Sequence, residues 1–148
     1  MKISIGSDHA GFNYKELIKK FLEEKGHSII DEGPFTNERC NYPDFAFKVA
    51  KRVSNGDANF GILICGTGIG VSIAANKIKG IRAARCSEAL SAKLSRLHND
   101  ANILCFGERI VGYEIAKEMV EVFISTSFEG GRHEERINLI KGFEDGKE

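Results

Sequence analysis

Residues 60–72 read FGILICGTGIGVS. The run from Phe60 to Cys65 is apolar throughout instead of alternating, the pattern of a strand covered on both faces. Three glycines alternate behind it, Gly66, Gly68 and Gly70, and a helix-compatible segment follows. A buried strand leading through a glycine turn into a helix is one half of a β–α–β unit, and such units build parallel sheets with right-handed crossovers.

The same alternation continues outward in both directions. Upstream, KISIGS (2–7) is a first strand. Tyr14, Leu17, Ile18, Phe21 and Leu22 recur at helical spacing over 14–25, and Gly26 stops that helix. HSIIDEG (27–33) is a second strand. Pro43 opens a helix with Phe45, Ala46, Val49, Ala50 and Val53 on one face, ending near Asn55 and Gly56. Downstream, a helix covers about 70–79, and GIRAARC (80–86) is a fourth strand. Ser87 caps a helix running toward Leu97. ANILCFG (101–107) is the fifth strand, Ile115, Ala116, Met119, Val120 and Phe123 mark the next helix, and a last one starts within GGRHEERINLI (130–140). The expectation is an α/β fold: a Rossmann-like three-layer α/β/α sandwich with a five-stranded parallel sheet and a C-terminal helix, one domain over 1–148. No internal repeat, low-complexity segment or linker interrupts it.

The balance of charge narrows the function. Twenty-one basic residues match twenty-one acidic ones, so no basic excess marks a nucleic-acid surface. The apolar runs fall well short of the ~18 residues of a membrane span, and no secretory leader precedes the first strand. The four cysteines, Cys40, Cys65, Cys86 and Cys105, form no C-x-x-C pair, and three of them close apolar runs. That usage fits a reduced, cytoplasmic protein.

The glycine turn excludes several chemistries by what it lacks. After Gly61 and Gly66 a Walker loop requires lysine, and Thr67 stands there. The dinucleotide pattern G-x-G-x-x-G fails at Val71, and so does a phosphatase loop, which needs arginine at that place. What is left is an anion- or enolate-holding loop, or a tight structural turn. Cys65 is open in the same way. It is either the small, buried end of a strand or a thiolate, nucleophile or base, ahead of a helix.

In doubly wound sheets ligands bind beyond the carboxyl ends of the strands. Asp8 and His9 follow strand one, Cys65 and Gly66 strand three, and Gly107, Glu108 and Arg109 strand five. His98 and Asn99 precede strand five, so this rule does not bring them to the site. Arg132 and Arg136 lie four apart on one helical face, where like charges cost about 0.2–0.5 kcal/mol unless paired. Glu129, Glu134 and Glu135 are one answer. A phosphate held by two guanidinium groups is the other.

Taken together, SDHAGF, YPDFA, ILICGTGIGVSIAANK, GIRAARC, SRLHNDANILCFGER and EGGRHEERI resemble the type B ribose-5-phosphate isomerases, in order and over nearly the whole chain. The wider family includes isomerases of galactose 6-phosphate and allose 6-phosphate. The resemblance implies an aldose–ketose isomerase with no cofactor and no metal, acting through an enediolate. It implies a homodimer or a dimer of dimers, with the site at the subunit interface. By match of motif, Cys65 is the base shuttling a proton between C1 and C2, and Gly66, Thr67, Gly68, Ile69 and Gly70 form the loop that holds the enediolate oxygens. His98 assists ring opening. Asp8, His9, Asn99 and Arg109 contact sugar or phosphate, Arg132 and Arg136 clamp the phosphate, and Tyr42 lies beside the site. One branch of the family replaces the cysteine with a glutamate directly after the loop. Val71 at that position and the presence of Cys65 put this sequence in the cysteine branch. The rival expectations are a hexose-phosphate isomerase and a non-catalytic phosphosugar-binding module.

Overall fold

The computed structural model describes residues 1–147. Its elements are β1 (Lys2–Ser7), a 3-10 turn (His9–Gly11), α1 (Phe12–Glu24), β2 (Ser28–Asp31), α2 (Tyr42–Ser54), β3 (Phe60–Cys65), α3 (Ile69–Ala75), β4 (Ala83–Arg85), α4 (Ala89–Asn99), β5 (Ile103–Gly107), α5 (Tyr113–Ser125) and α6 (Arg132–Glu144). The strands form one sheet in the order β2-β1-β3-β5-β4, and every neighbouring pair is parallel.

The unbroken apolar character of β3 has a direct cause. Ile62 and Ile64 point to one face, into a core shared with Ile18 and Leu22 of α1 and Met119, Val120 and Phe123 of α5. Leu63 and Cys65 point to the other, against Ala46, Val49 and Ala50 of α2 and Val71 and Ala75 of α3. Period-two alternation persists, but both faces are covered, so both need apolar side chains. Each such fully buried aliphatic residue contributes about 1.5–3 kcal/mol.

Several element ends differ from the expectation, each for a local reason. α1 starts at Phe12, two residues early, because Asp8 Oδ1 accepts hydrogen bonds from the Ala10 and Gly11 N–H groups and winds a 3-10 turn ahead of it. α3 stops at Ala75 and not near Lys79, because the Asn76 side chain is drawn into the sheet edge. Its amide donates to the Ala83 carbonyl at 3.0 Å and accepts from the Ala83 N–H at 2.8 Å. The cap of α4 is Glu88, not Ser87: Glu88 Oε2 accepts from the Ser91 N–H at 2.8 Å. Ser87 is engaged elsewhere, its hydroxyl accepting from Arg85 Nη1 at 2.7 Å. Strands β2 and β4 are shorter than the expected segments 27–33 and 80–86, as suits the two edges of the sheet.

One buried charge stands out. Lys15 has no exposed surface, and its Nζ lies 2.9 Å from Asp31 and 2.7 Å from Glu16, with the Phe12 and Phe35 rings each 5.5 Å away. Helix α6 is the least embedded element. It rests on α4 at its start, while Glu144 and Asp145 reach the Gly80 N–H and Lys79 Nζ at its end. Leu139 and Phe143 on it are 71% and 75% exposed. No helix among the described residues is long and apolar enough to cross a membrane.

Candidate active site

At the carboxyl edge of the sheet the loops after β1, β3 and β5 are laced together by their own backbones. The Asp8 N–H donates to the Ile64 carbonyl, Glu108 N–H to Cys65 and Arg109 N–H to Gly66, at 3.2, 2.9 and 3.1 Å. Strand registration therefore runs on past the strand ends and sets three loops at fixed spacing.

Cys65 closes β3 and is 5% exposed. The Gly68 N–H donates to its sulfur at 3.0 Å, so the side chain is fixed in orientation at the mouth of the loop. Gly68 reaches this position only as glycine. Its φ is +79°, and a Cβ there would lie 2.7 Å from the Phe106 backbone. A Cβ on Gly70 would lie 2.6 Å from the Tyr42 ring, so that ring rests directly on the loop. Thr67 is exposed at the loop tip; its hydroxyl accepts from the Ile69 N–H at 3.2 Å and its carbonyl from Arg85 Nε at 3.0 Å.

Around the loop stand the other groups of the same edge. Asp8 is buried with its Oδ1 committed to the 3-10 turn. The Cys40 N–H donates to His9 Nδ1 at 3.3 Å, which puts the proton of the neutral ring on Nε2. Arg109 lies over Gly66 and is exposed. Burial pushes the Glu108 carboxyl above the usual range, more than the Tyr14 N–H and Asn13 side chain hold it down.

His98, Asn99, Arg132 and Arg136 form a second group. Helix α4 runs back across the sheet, so its last turn lies beside the start of β5, at the amino edge. Four steps along β5, from Ile103 to Gly107 beside Cys65, at about 3.3 Å each, separate the two levels by about 13 Å. Arg96, 7% exposed, anchors the turn through the Thr126 and Ala101 carbonyls and Asp100. The His98 ring stacks on His133 of α6 with centroids 4.3 Å apart and planes 15° apart. Its Nε2 lies 4.0 Å from a Glu129 oxygen. Asn99, Arg132 and Arg136 are exposed.

Thus one chain brings together Asp8, His9, Tyr42, Cys65, Gly66, Thr67, Gly68, Ile69, Gly70 and Arg109, and separately His98, Asn99, Arg132 and Arg136. It does not join the two sets. His98, Glu129 and His133 offer ligand atoms within 4.8 Å of one another, the spacing of a metal site. Their stacked rings direct the nitrogen lone pairs along nearly parallel planes, which suits stacking and not a shared ion. Sequence reasoning missed Arg85, Glu129 as a neighbour of His98, and His133. For His133 a signal was available, since it lies between two arginines already singled out; Arg85 requires the strand order to be known.

The sequence signature of the family described as Ribose/Galactose Isomerase matches residues 3–140. This chain belongs to that family. It is 51% identical to ribose-5-phosphate isomerase B of Escherichia coli K12 over 97% of its own length and 96% of the relative. Among solved structures, ribose-5-phosphate isomerase B of Clostridium thermocellum superposes with a TM-score of 0.97 at 51% identity, covering 99% of each chain. The Mycoplasma genitalium enzyme, solved with bound ribulose 5-phosphate, superposes with a TM-score of 0.94 at 44% identity over 97% of this chain and 96% of that one. The five-stranded α/β fold is that of these isomerases.

Proposed function

We propose that this chain, as one domain over 1–148, interconverts D-ribose 5-phosphate and D-ribulose 5-phosphate. The observation that carries the reading is the Cys65 sulfur held at the mouth of the glycine loop, with the Gly68 N–H 3.0 Å away, in a chain so close to named isomerases of this type. The reaction moves one hydrogen from C2 to C1, which asks for one base and for donors aimed at the developing oxyanion.

In the forward direction His98 assists transfer of the O1 proton and protonation of the ring oxygen, opening the furanose. The Cys65 thiolate takes the C2 proton, and the electron pair moves onto O1 as the C1 carbonyl becomes part of an enediolate. Backbone N–H groups of loop 66–70, with Thr67, hold the two oxygens. A proton passes from O2 to O1 within the enediolate, the Cys65 thiol returns its proton to C1, and the C2 carbonyl of ribulose 5-phosphate forms. Arg132 and Arg136 bind the phosphate, whose binding energy aligns C1 and C2 with the sulfur. Asp8, His9, Tyr42, Asn99 and Arg109 hold the sugar. No cofactor or metal enters this scheme.

The site is completed by a second copy of the chain. What supports this is the separation of the Cys65 set from the His98 set, together with unpartnered apolar side chains near each: Ile69 and Ile73 at 50% and 55% exposure, Leu139 and Phe143 higher still. The four free cysteines fit a cytoplasmic enzyme.

Mixing subunits tests function and assembly together. Cys65→Ala and His98→Asn homodimers are each expected to be nearly inactive on ribose 5-phosphate. Unfolded and refolded as an equal mixture, they are expected to regain about a quarter of wild-type activity, since half the dimers then carry one intact composite site. No recovery would remove the shared site, and no turnover by the wild type would remove the activity. Parallel kcat/KM values on allose and galactose 6-phosphates measure the sugar preference.

A further inference from the structure

His133 has no place in the scheme above, yet it is 7% exposed and its Nε2 has no hydrogen-bond partner. A buried polar nitrogen left unpaired is unfavourable, and an apolar side chain in its place avoids that. Hydrogen bonding therefore does not account for this residue; its ring face does. That face lies on His98, centroids 4.3 Å apart and planes 15° apart. The contact also joins two elements, the last turn of α4 and the first turn of α6, and α6 carries Arg132 and Arg136 on either side of it.

We propose that His133 is a positioning residue: its ring fixes the orientation of the His98 imidazole and its distance from the phosphate-binding face of α6. This rests on the assignment of His98 to ring opening made above. Burial holds the His133 ring below the ordinary imidazole value, and His98 and Arg132 beside it act in the same direction. A neutral ring serves the purpose well. It leaves the proton chemistry to His98. Because α6 is helical, Arg136 stands about one 5.4 Å turn from Arg132, and the stack sets both guanidinium groups against the ring-opening group as a unit. A furanose phosphate has a fixed span from ring oxygen to phosphate, so that spacing matters for opening the ring and not for moving the proton.

The two substrates separate these steps. Ribose 5-phosphate is a furanose and must open. Ribulose 5-phosphate has its O5 esterified, forms no furanose, and enters as the open chain. Exchange of its C1 hydrogen with solvent deuterium, followed by NMR, reads proton transfer alone. In the full-length protein, His133→Gln is expected to slow conversion of ribose 5-phosphate by about tenfold or more, the scale of a misplaced acid–base group. C1 exchange is expected to stay within about twofold of wild type. His133→Phe, which keeps a ring face without the nitrogens, is expected to recover most of the loss.

Equal losses in both assays, no loss in either, or a phenylalanine variant as poor as the glutamine one would overturn the proposal. If His133→Gln does not fold, His133→Leu carries the same comparison. His98→Asn, read in the same two assays, separates the two ideas. A split at His98 with none at His133 removes the positioning role alone. No split at His98 removes the ring-opening assignment beneath it.

Discussion

The Gly68 N–H points at Cys65 Sγ across 3.0 Å, and the Glu108 N–H takes the Cys65 carbonyl at 2.9 Å. The residue is held at both its side chain and its backbone by groups that belong to two different loops. In its proposed role as base, a sulfur so held needs no rearrangement to receive a proton, which is the condition for electrostatic preorganisation.

Replacing Cys65 by alanine is expected to lower kcat by at least about a hundredfold, within the range for a positioned acid–base group. KM for ribose 5-phosphate should change little, since the sulfur is not a phosphate ligand in this scheme. A coupled ribulose 5-phosphate assay measures the turnover, and C1 exchange should fall with it. An active Cys65→Ala protein would assign the base elsewhere.

Arg132→Ala and Arg136→Ala should act on binding more than on chemistry. Each guanidinium removed from an oxyanion costs about 1.5–3 kcal/mol as a charge-assisted contact, so KM is expected to rise about tenfold to a hundredfold. Unphosphorylated ribose is the control: its slow turnover should be indifferent to both substitutions. Steady-state kinetics on the two sugars decides it.

Two glycine-to-alanine changes should move stability in opposite directions. Gly68 combines a φ of +79° with backbone atoms 2.7 Å from any Cβ, and its alanine variant is expected to lose about 2 kcal/mol or more. Gly142 lies in helix α6 with only Lys147 Cβ, at 3.9 Å, near the position of a new methyl group. Alanine there should gain about 0.5–1 kcal/mol. Urea denaturation of the two variants beside wild type tests both.

Asp31 makes a pH-dependent contribution. Burial alone would push its carboxyl up, but hydrogen bonds from Lys15, the Gly33 N–H and Lys19 outweigh burial and hold it below the usual carboxylate range. A value depressed by folding means the stabilisation is complete above the unfolded value of about 4 and is lost as pH falls through the folded one. Asp31→Asn leaves the buried Lys15 without its one buried carboxylate partner and should cost about 3 kcal/mol at pH 7. The gap between wild type and variant, measured by urea denaturation, should shrink below about pH 4. A gap that stays constant into acid would contradict the assignment.

The strands could be read from sequence because both faces of β3 and β5 are covered, and a run such as Ile62, Leu63, Ile64 has no other explanation in a chain this polar. Helix ends were less legible, since they are decided by side chains reaching across the fold. Nothing local shows that Asn76 will bond to Ala83, or that Arg85 will occupy Ser87 and leave the cap to Glu88. The same division holds at the site. The cluster of Asp8, Cys65 and Arg109 follows from strand ends meeting at one edge, a consequence of topology. The stack of His98 on His133 depends on where α6 returns, and no periodicity carries that information.

The shallow seating of α6 gives this fold a division of labour. Cys65 and its loop are built into the sheet, where almost any change disturbs a packed core. Arg132 and Arg136, the proposed phosphate ligands, ride on a helix fastened at its two ends, by the His98–His133 stack and by Glu144 and Asp145, with much of its length free. On the proposed assignment, substitutions along that helix alter which sugar phosphate fits and leave the proton-transfer centre unchanged. New substrate ranges in such a lineage are therefore most accessible through the arm and not through the sheet.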